Sequence, residues 1–78
     1  MLGSPPDMAT SVQAHITGTV WKIEVKAGDK VEEGQTLVII ESMKMEMPVE
    51  SPAGGMVESV AVAEGQPVEE GAVLLTLA

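Results

Sequence analysis

The sequence predicts an all-β domain made of two copies of one half, and three observations carry that reading. Residues 12–41 align with residues 49–78 without a gap, at an offset of 37. No segment keeps a 3.6-residue apolar period for three turns, as an amphipathic helix requires. The apolar residues are mostly branched: from Val12 onward there are 11 Val, 4 Ile and 4 Leu. β-Branched side chains suit a pleated, half-buried surface.

A chain of 78 residues makes one domain, and one with little interior for its surface. There is no cysteine, so disulfides and zinc–thiolate sites are excluded. The core must come from aliphatic packing, with Trp21 as the sole aromatic. Twelve acidic residues against four lysines give a formal charge of −8. Such a surface repels phosphate backbones, and a single Trp is no stacking platform, so nucleic acid is not an expected partner. The longest apolar run, 37–40, is far too short to span a bilayer, and no membrane partner is expected. Residues 1–10 lack the basic and apolar regions of a secretory signal. Gly3, Ser4, Pro5, Pro6 and Asp7 give them the character of a disordered tail, with the folded domain expected over 11–78. The absence of cysteine agrees with a reducing compartment, and the cytoplasm is the expected location.

Each half reads as strands joined by turns. Val20, Ile23 and Val25 alternate with Lys22, Glu24 and Lys26, except that Val20 and Ile23 stand three apart. Trp21 sits in that slip, which predicts a β-bulge or a two-sided contact. Ala27-Gly28-Asp29 and Ala63-Glu64-Gly65 signal turns, as do Gly34 and Gly71. The runs 37–40 and 73–77 are continuous enough to be strands buried on both faces. Val31-Glu32-Glu33-Gly34 recurs unaltered as Val68-Glu69-Glu70-Gly71. That identity points to a requirement of the turn more than to a docking charge.

Ser42-Met43-Lys44-Met45-Glu46-Met47-Pro48 has no duplicate and joins the last strand of one half to the first of the next. The junction is therefore a tight hairpin. Two-residue hairpins favour Asn-Gly, Asp-Gly or Gly-containing pairs because positive φ is needed, yet this one offers Met-Lys. Local rules are most often broken at functional sites. A turn lysine is ordinarily a solvated surface charge, and Met47 fits a packing role. Met43 and Met45, however, cannot both reach the interior from either side of a turn tip. The candidate site is Lys44, framed by Glu41, Ser42, Met43 and Met45.

Glu41-Ser42-Met43-Lys44-Met45-Glu46 resembles the signature of biotinyl domains, in which a lysine between two methionines is the attachment point. The resemblance extends to Gly18-Thr19-Val20, to Gly28-Asp29-x-Val31-x-x-Gly34-Gln35 and to Gly65-Gln66-x-Val68-x-x-Gly71. It covers roughly residues 12–78. Two departures stand out: Ala14-His15-Ile16-Thr17-Gly18 where the family often has Ala-Pro-x-x-Gly, and Ser42 where Ala is common. His15 reads as a surface or hydrogen-bonded turn residue. No insertion separates Val20 from Gly28, where bacterial acetyl-CoA carboxylase carriers often bear a thumb. The chain is thus more similar to thumbless carriers of propionyl-CoA and pyruvate-type carboxylases, or to short free-standing attachment proteins. It suits either an excised domain or a complete small protein.

The resemblance implies a flattened barrel or sandwich of two four-stranded antiparallel sheets with pseudo-twofold symmetry. It implies covalent biotin on Lys44, with Glu41, Ser42, Met43 and Met45 beside it. It further implies a non-catalytic biotin carboxyl carrier working between biotin carboxylase and carboxyltransferase sites, loaded by a biotin protein ligase. A free lysine amine is almost wholly protonated at neutral pH, so the ligase must remove the proton. Lipoate is the alternative cofactor, because lipoyl domains share this fold and lysine position, and some short proteins of this type accept either. Lipoyl hairpins usually read Asp-Lys-Ala, so Met-Lys-Met favours biotin. An unmodified β-barrel serving as an interaction module is the alternative of a different class; it would tolerate Lys44→Ala, whereas a carrier would not. No nucleophile is tied to His15, and neither a calcium-loop spacing nor a phosphate-binding glycine signature is present. A monomer is expected, since a carrier visits several active sites.

Overall fold

The apolar runs of the repeat become strands in the computed structural model of the chain, which describes residues 10–78. In order they are β1 (Thr10–Gln13), β2 (Gly18–Ile23), β3 (Lys30–Val31), β4 (Thr36–Ser42), β5 (Met45–Glu50), β6 (Gly55–Val60), β7 (Pro67–Val68) and β8 (Val73–Leu77). No helix occurs among the described residues. The expected tail lies outside them except for Thr10, which opens β1 opposite Leu77. Pairing with β8 orders a residue whose local sequence gave no strand signal.

The strands form two four-stranded antiparallel sheets, ordered β1-β8-β6-β3 and β5-β4-β2-β7. A shift of 37 residues, upward for β1 and β3 and downward for β6 and β8, carries the first sheet onto the second, strand by strand. Every sheet mixes the two halves: β3 pairs with β6, and β7 pairs with β2. Neither half can satisfy its edges alone, which is why two copies suffice where a solenoid needs at least three.

The core follows the same symmetry. Val12 and Val49, Val20 and Val57, Val31 and Val68, Leu37 and Leu74, Val38 and Leu75, and Ile40 and Leu77 are buried in equivalent pairs. Each such side chain contributes about 1.5–3 kcal/mol when fully withdrawn from water. Ala14 is matched by Ser51, a buried polar residue whose Oγ donates to the Ala53 carbonyl at 2.5 Å. The runs 37–40 and 73–77 are less completely enclosed than their sequence suggests. Ile39 is half-buried and Val73 is exposed, because each keeps the outward side of an antiparallel strand.

The slip at Trp21 is a β-bulge: the pairing of β2 with β4 shifts between Val20 and Lys22. β6 repeats it against β8 between Val57 and Ser59, with Glu58 in the bulged position. The four glycine turns also recur. Gly28, Gly34, Gly65 and Gly71 have φ of 95°, 86°, 89° and 92°, each as the third residue of a four-residue turn closed by a main-chain hydrogen bond. Positive φ there is the type II requirement. Lys26 N donates to Asp29 Oδ2, and Ala63 N to Gln66 Oε1, at the same place in each half. The repeated Glu-Glu-Gly is thus part of a turn, as its identity in both halves suggests.

Candidate functional site

β4 and β5 form the longest ladder in the molecule, running from Thr36↔Glu50 to Ser42↔Met45. Its last pair leaves two residues, Met43 and Lys44, to reverse the chain. Their φ values are 53° and 67°, the left-handed conformation that a type I′ hairpin demands at both central positions. Neither is glycine, and each non-glycine residue held there costs on the order of 1 kcal/mol or more. The ladder behind the turn holds it in place.

Alternation then sorts the side chains. Val38 and Ile40 are fully buried, as is Val20 beside Ile40. Met47, opposite Ile40, is half-buried, and Ser42, two pairs nearer the tip, is half-buried as well. Met45 shares this side, but the core ends before it, and it is 58% exposed. Met43 is 91% exposed and Lys44 is exposed beside it. The three residues at the centre of the motif are therefore held out from the fold together, with an ammonium between two thioethers. Met47 takes the packing role its spacing suggests, though only in part.

Glu41 and Glu46 face each other across the ladder, both exposed on the outer side. Directly opposed like charges are unfavourable in a sheet, so the base of the tip carries a concentrated negative field. Glu46 closes the sequence motif but lies outside the frame of Glu41, Ser42, Met43 and Met45 around Lys44, although a turn centred on 43 and 44 fixes its pairing with Glu41. A second unforeseen feature is the approach of β2. A Cβ on Gly18 would meet the Glu41 carbonyl oxygen at 2.5 Å and Ile40 Cγ2 at 2.8 Å, so only glycine lets β2 lie against the strand that leads to the tip.

His15 is exposed in a bend, at the place Pro52 occupies in the second half. Among the described residues no group of three or more His, Cys, Asp or Glu side chains could hold a metal ion. Among the same residues no helix is long and apolar enough to cross a membrane. An open groove of about 540 Å³, lined by Thr17, Gly18, Val62, Pro67, Val68 and Val73 among others, includes no hairpin residue.

The family model described as "Biotin-requiring enzyme" matches residues 4–77. A biotin/lipoyl attachment protein of Bacillus subtilis is 49% identical over 70 residues, covering 90% of this chain and 93% of that protein. The biotin carboxyl carrier protein of acetyl-CoA carboxylase from Solanum lycopersicum is 42% identical over 67 residues, covering 86% and 96%. The dihydrolipoyllysine-residue acetyltransferase component of the pyruvate dehydrogenase complex from Azotobacter vinelandii is 40% identical over 72 residues, covering 92% of this chain and 11% of its own. Among solved structures, urea carboxylase of Kluyveromyces lactis superposes with a TM-score of 0.87 at 35% identity, covering 96% of this chain and 7% of that one.

Proposed function

This chain belongs to the biotin/lipoyl attachment family, and from that premise we propose that it is a biotin carrier modified on Lys44. As in its carrier relatives, the role is non-catalytic. The observation that supports the reading most is the left-handed Met43-Lys44 turn, which holds an amine into solvent between exposed Met43 and Met45. Such a tip can enter another enzyme's pocket without disturbing the core.

Loading requires an acyl donor and a base, both supplied by a biotin protein ligase. The Lys44 ammonium loses its proton in the ligase pocket, its Nζ attacks the activated carboxyl of biotinyl-adenylate, and AMP leaves as the amide forms. Met43 and Met45 give the amine an apolar frame while it is desolvated. Glu41 and Ser42, the last residues of β4, close the ladder below the tip through their pairing with Glu46 and Met45. Once bound, biotin supplies the carboxyl-carrying chemistry, and the barrel supplies position and a high effective concentration. The partners are then a biotin carboxylase and a carboxyltransferase, met in the cytoplasm by a monomeric carrier. Sedimentation independent of concentration is the expected result for that monomer.

Lipoate is the second reading, favoured by the acetyltransferase relative. Met-Lys-Met in place of Asp-Lys-Ala supports biotin. A streptavidin blot of protein co-produced with a biotin protein ligase tests the choice. The parent chain is expected to give a band and Lys44→Arg none; a lipoylated, streptavidin-negative parent would reverse the assignment.

A further inference from the structure

The two halves give the fold an internal control. Positions 37 apart do the same structural work, so a difference between them is not demanded by the fold. The outer faces of the two sheets differ sharply. On the hairpin sheet, one cross-strand row reads Lys22, Ile39, Pro48. The equivalent row of the other sheet reads Ser59, Thr76, Ser11. Ile39 lies between fully buried Val38 and Ile40, so it faces outward by alternation. The bulged residue beside the row is Trp21 on the hairpin sheet, 47% exposed, and Glu58 on the other. At three equivalent places the fold accepts Glu, Thr and Ser, yet the hairpin sheet carries Trp, Ile and Pro.

The surrounding charge differs too. Glu46 and Glu50 share the outward side of β5 with Pro48, and Glu41 shares that of β4 with Ile39; all three carboxylates are exposed. The counterparts of Glu41 and Glu50 are Ala78 and Gln13. Lys22 stands at the β2 end of the row, away from them. The result is an aromatic and aliphatic centre with an acidic margin, an arrangement typical of a binding surface.

We infer that this face docks the ligase that acylates Lys44, through a ligase cleft that takes the Trp21 indole and sets lysine or arginine side chains against Glu41, Glu46 and Glu50. The inference rests on the reading of Lys44 as the acylated residue. The Ile39–Pro48 pair is three residues along the ladder from Ser42–Met45, about 10 Å at the usual strand rise. An enzyme that draws the lysine amine itself into its pocket must cover the base of the hairpin. An enzyme working at the far end of a longer attached arm need not.

The test borrows the substitutions the second half already tolerates: Trp21→Glu, Ile39→Thr and Pro48→Ser, singly and together. Biotinylation by purified biotin protein ligase with biotin and ATP is followed against carrier concentration. Circular dichroism and a thermal melt check the fold, and Trp21→Glu alone serves if the triple variant melts. The expected result is a KM for the carrier raised at least tenfold with kcat little changed. Glu46→Gln with Glu50→Gln should raise KM at low salt and flatten its salt dependence, whereas Met56→Thr on the opposite sheet should do neither. An unchanged KM in a folded Trp21→Glu carrier overturns the inference, as does normal loading followed by slowed carboxylation, which would assign the face to a carboxylase. A parent chain that is never biotinylated contradicts the Lys44 reading instead, so the two failures are distinct.

Discussion

Gly18 lies against the main chain of Glu41, so close that a Cβ at residue 18 would stand 2.5 Å from the Glu41 carbonyl oxygen. Its counterpart Gly55 is less confined, with Ala78 O at 3.0 Å from the equivalent position. The closer approach occurs in the sheet that carries the hairpin. Gly18→Ala is expected to destabilise the domain by about 2–3 kcal/mol through overpacking. Gly55→Ala should cost less, because its one close contact, the Ala78 oxygen at 3.0 Å, is longer than either of the two nearest at Gly18. Urea denaturation of the two variants checks the order, and equal losses would argue against a special constraint on β4.

Gly34 and Gly71 test a different effect. Nothing lies within 4 Å of a Cβ at either, but their φ values are +86° and +92°. Alanine at each should cost about 1–2 kcal/mol from backbone conformation alone, and by nearly the same amount in both halves. Matched melts of the two variants would show it; a neutral substitution would mean the turn relaxes to another form.

Met43→Asn should raise stability by about 0.5–1 kcal/mol, because asparagine accepts the left-handed backbone that methionine resists. The same change should slow acylation of Lys44, since one of its two apolar neighbours is gone. Denaturant midpoints and ligase progress curves measure the two effects. A stability gain with undiminished acylation would separate the strained turn from its function.

Much of this was legible in the sequence because it is duplicated. The 37-residue offset gave equivalent strands, the slip at Trp21 gave the bulge, and Gly28, Gly34, Gly65 and Gly71 marked the turns. Lys44 emerged from the one segment without a copy. The exchange of β3 and β7 between halves was not legible, because a two-residue strand has no periodicity to read and its partner is chosen in three dimensions. Thr10 reads as tail because its strand partner, Leu77 of β8, lies at the far end of the sequence. Nor could Gly18 be ranked above the other glycines, as backbone approach leaves no mark on composition. The contrast between the outer faces could be read from the repeat only after the register fixed which residues look outward.

Leu37 and Leu74 are fully buried at equivalent positions. Alanine at either should cost about 2–5 kcal/mol, and the two losses should agree within about 1 kcal/mol. Because each sheet mixes the halves, both variants should still unfold in one transition by circular dichroism and Trp21 fluorescence. Separate transitions would mean that the halves fold independently.

The most direct measurement is the intact mass of the chain produced with a biotin protein ligase, followed by peptide mapping across all four lysines. A single adduct equal to biotin less one water, located on Lys44 and absent from Lys44→Arg, is the predicted result. An adduct on Lys22, Lys26 or Lys30, or no adduct on a folded chain, would contradict it.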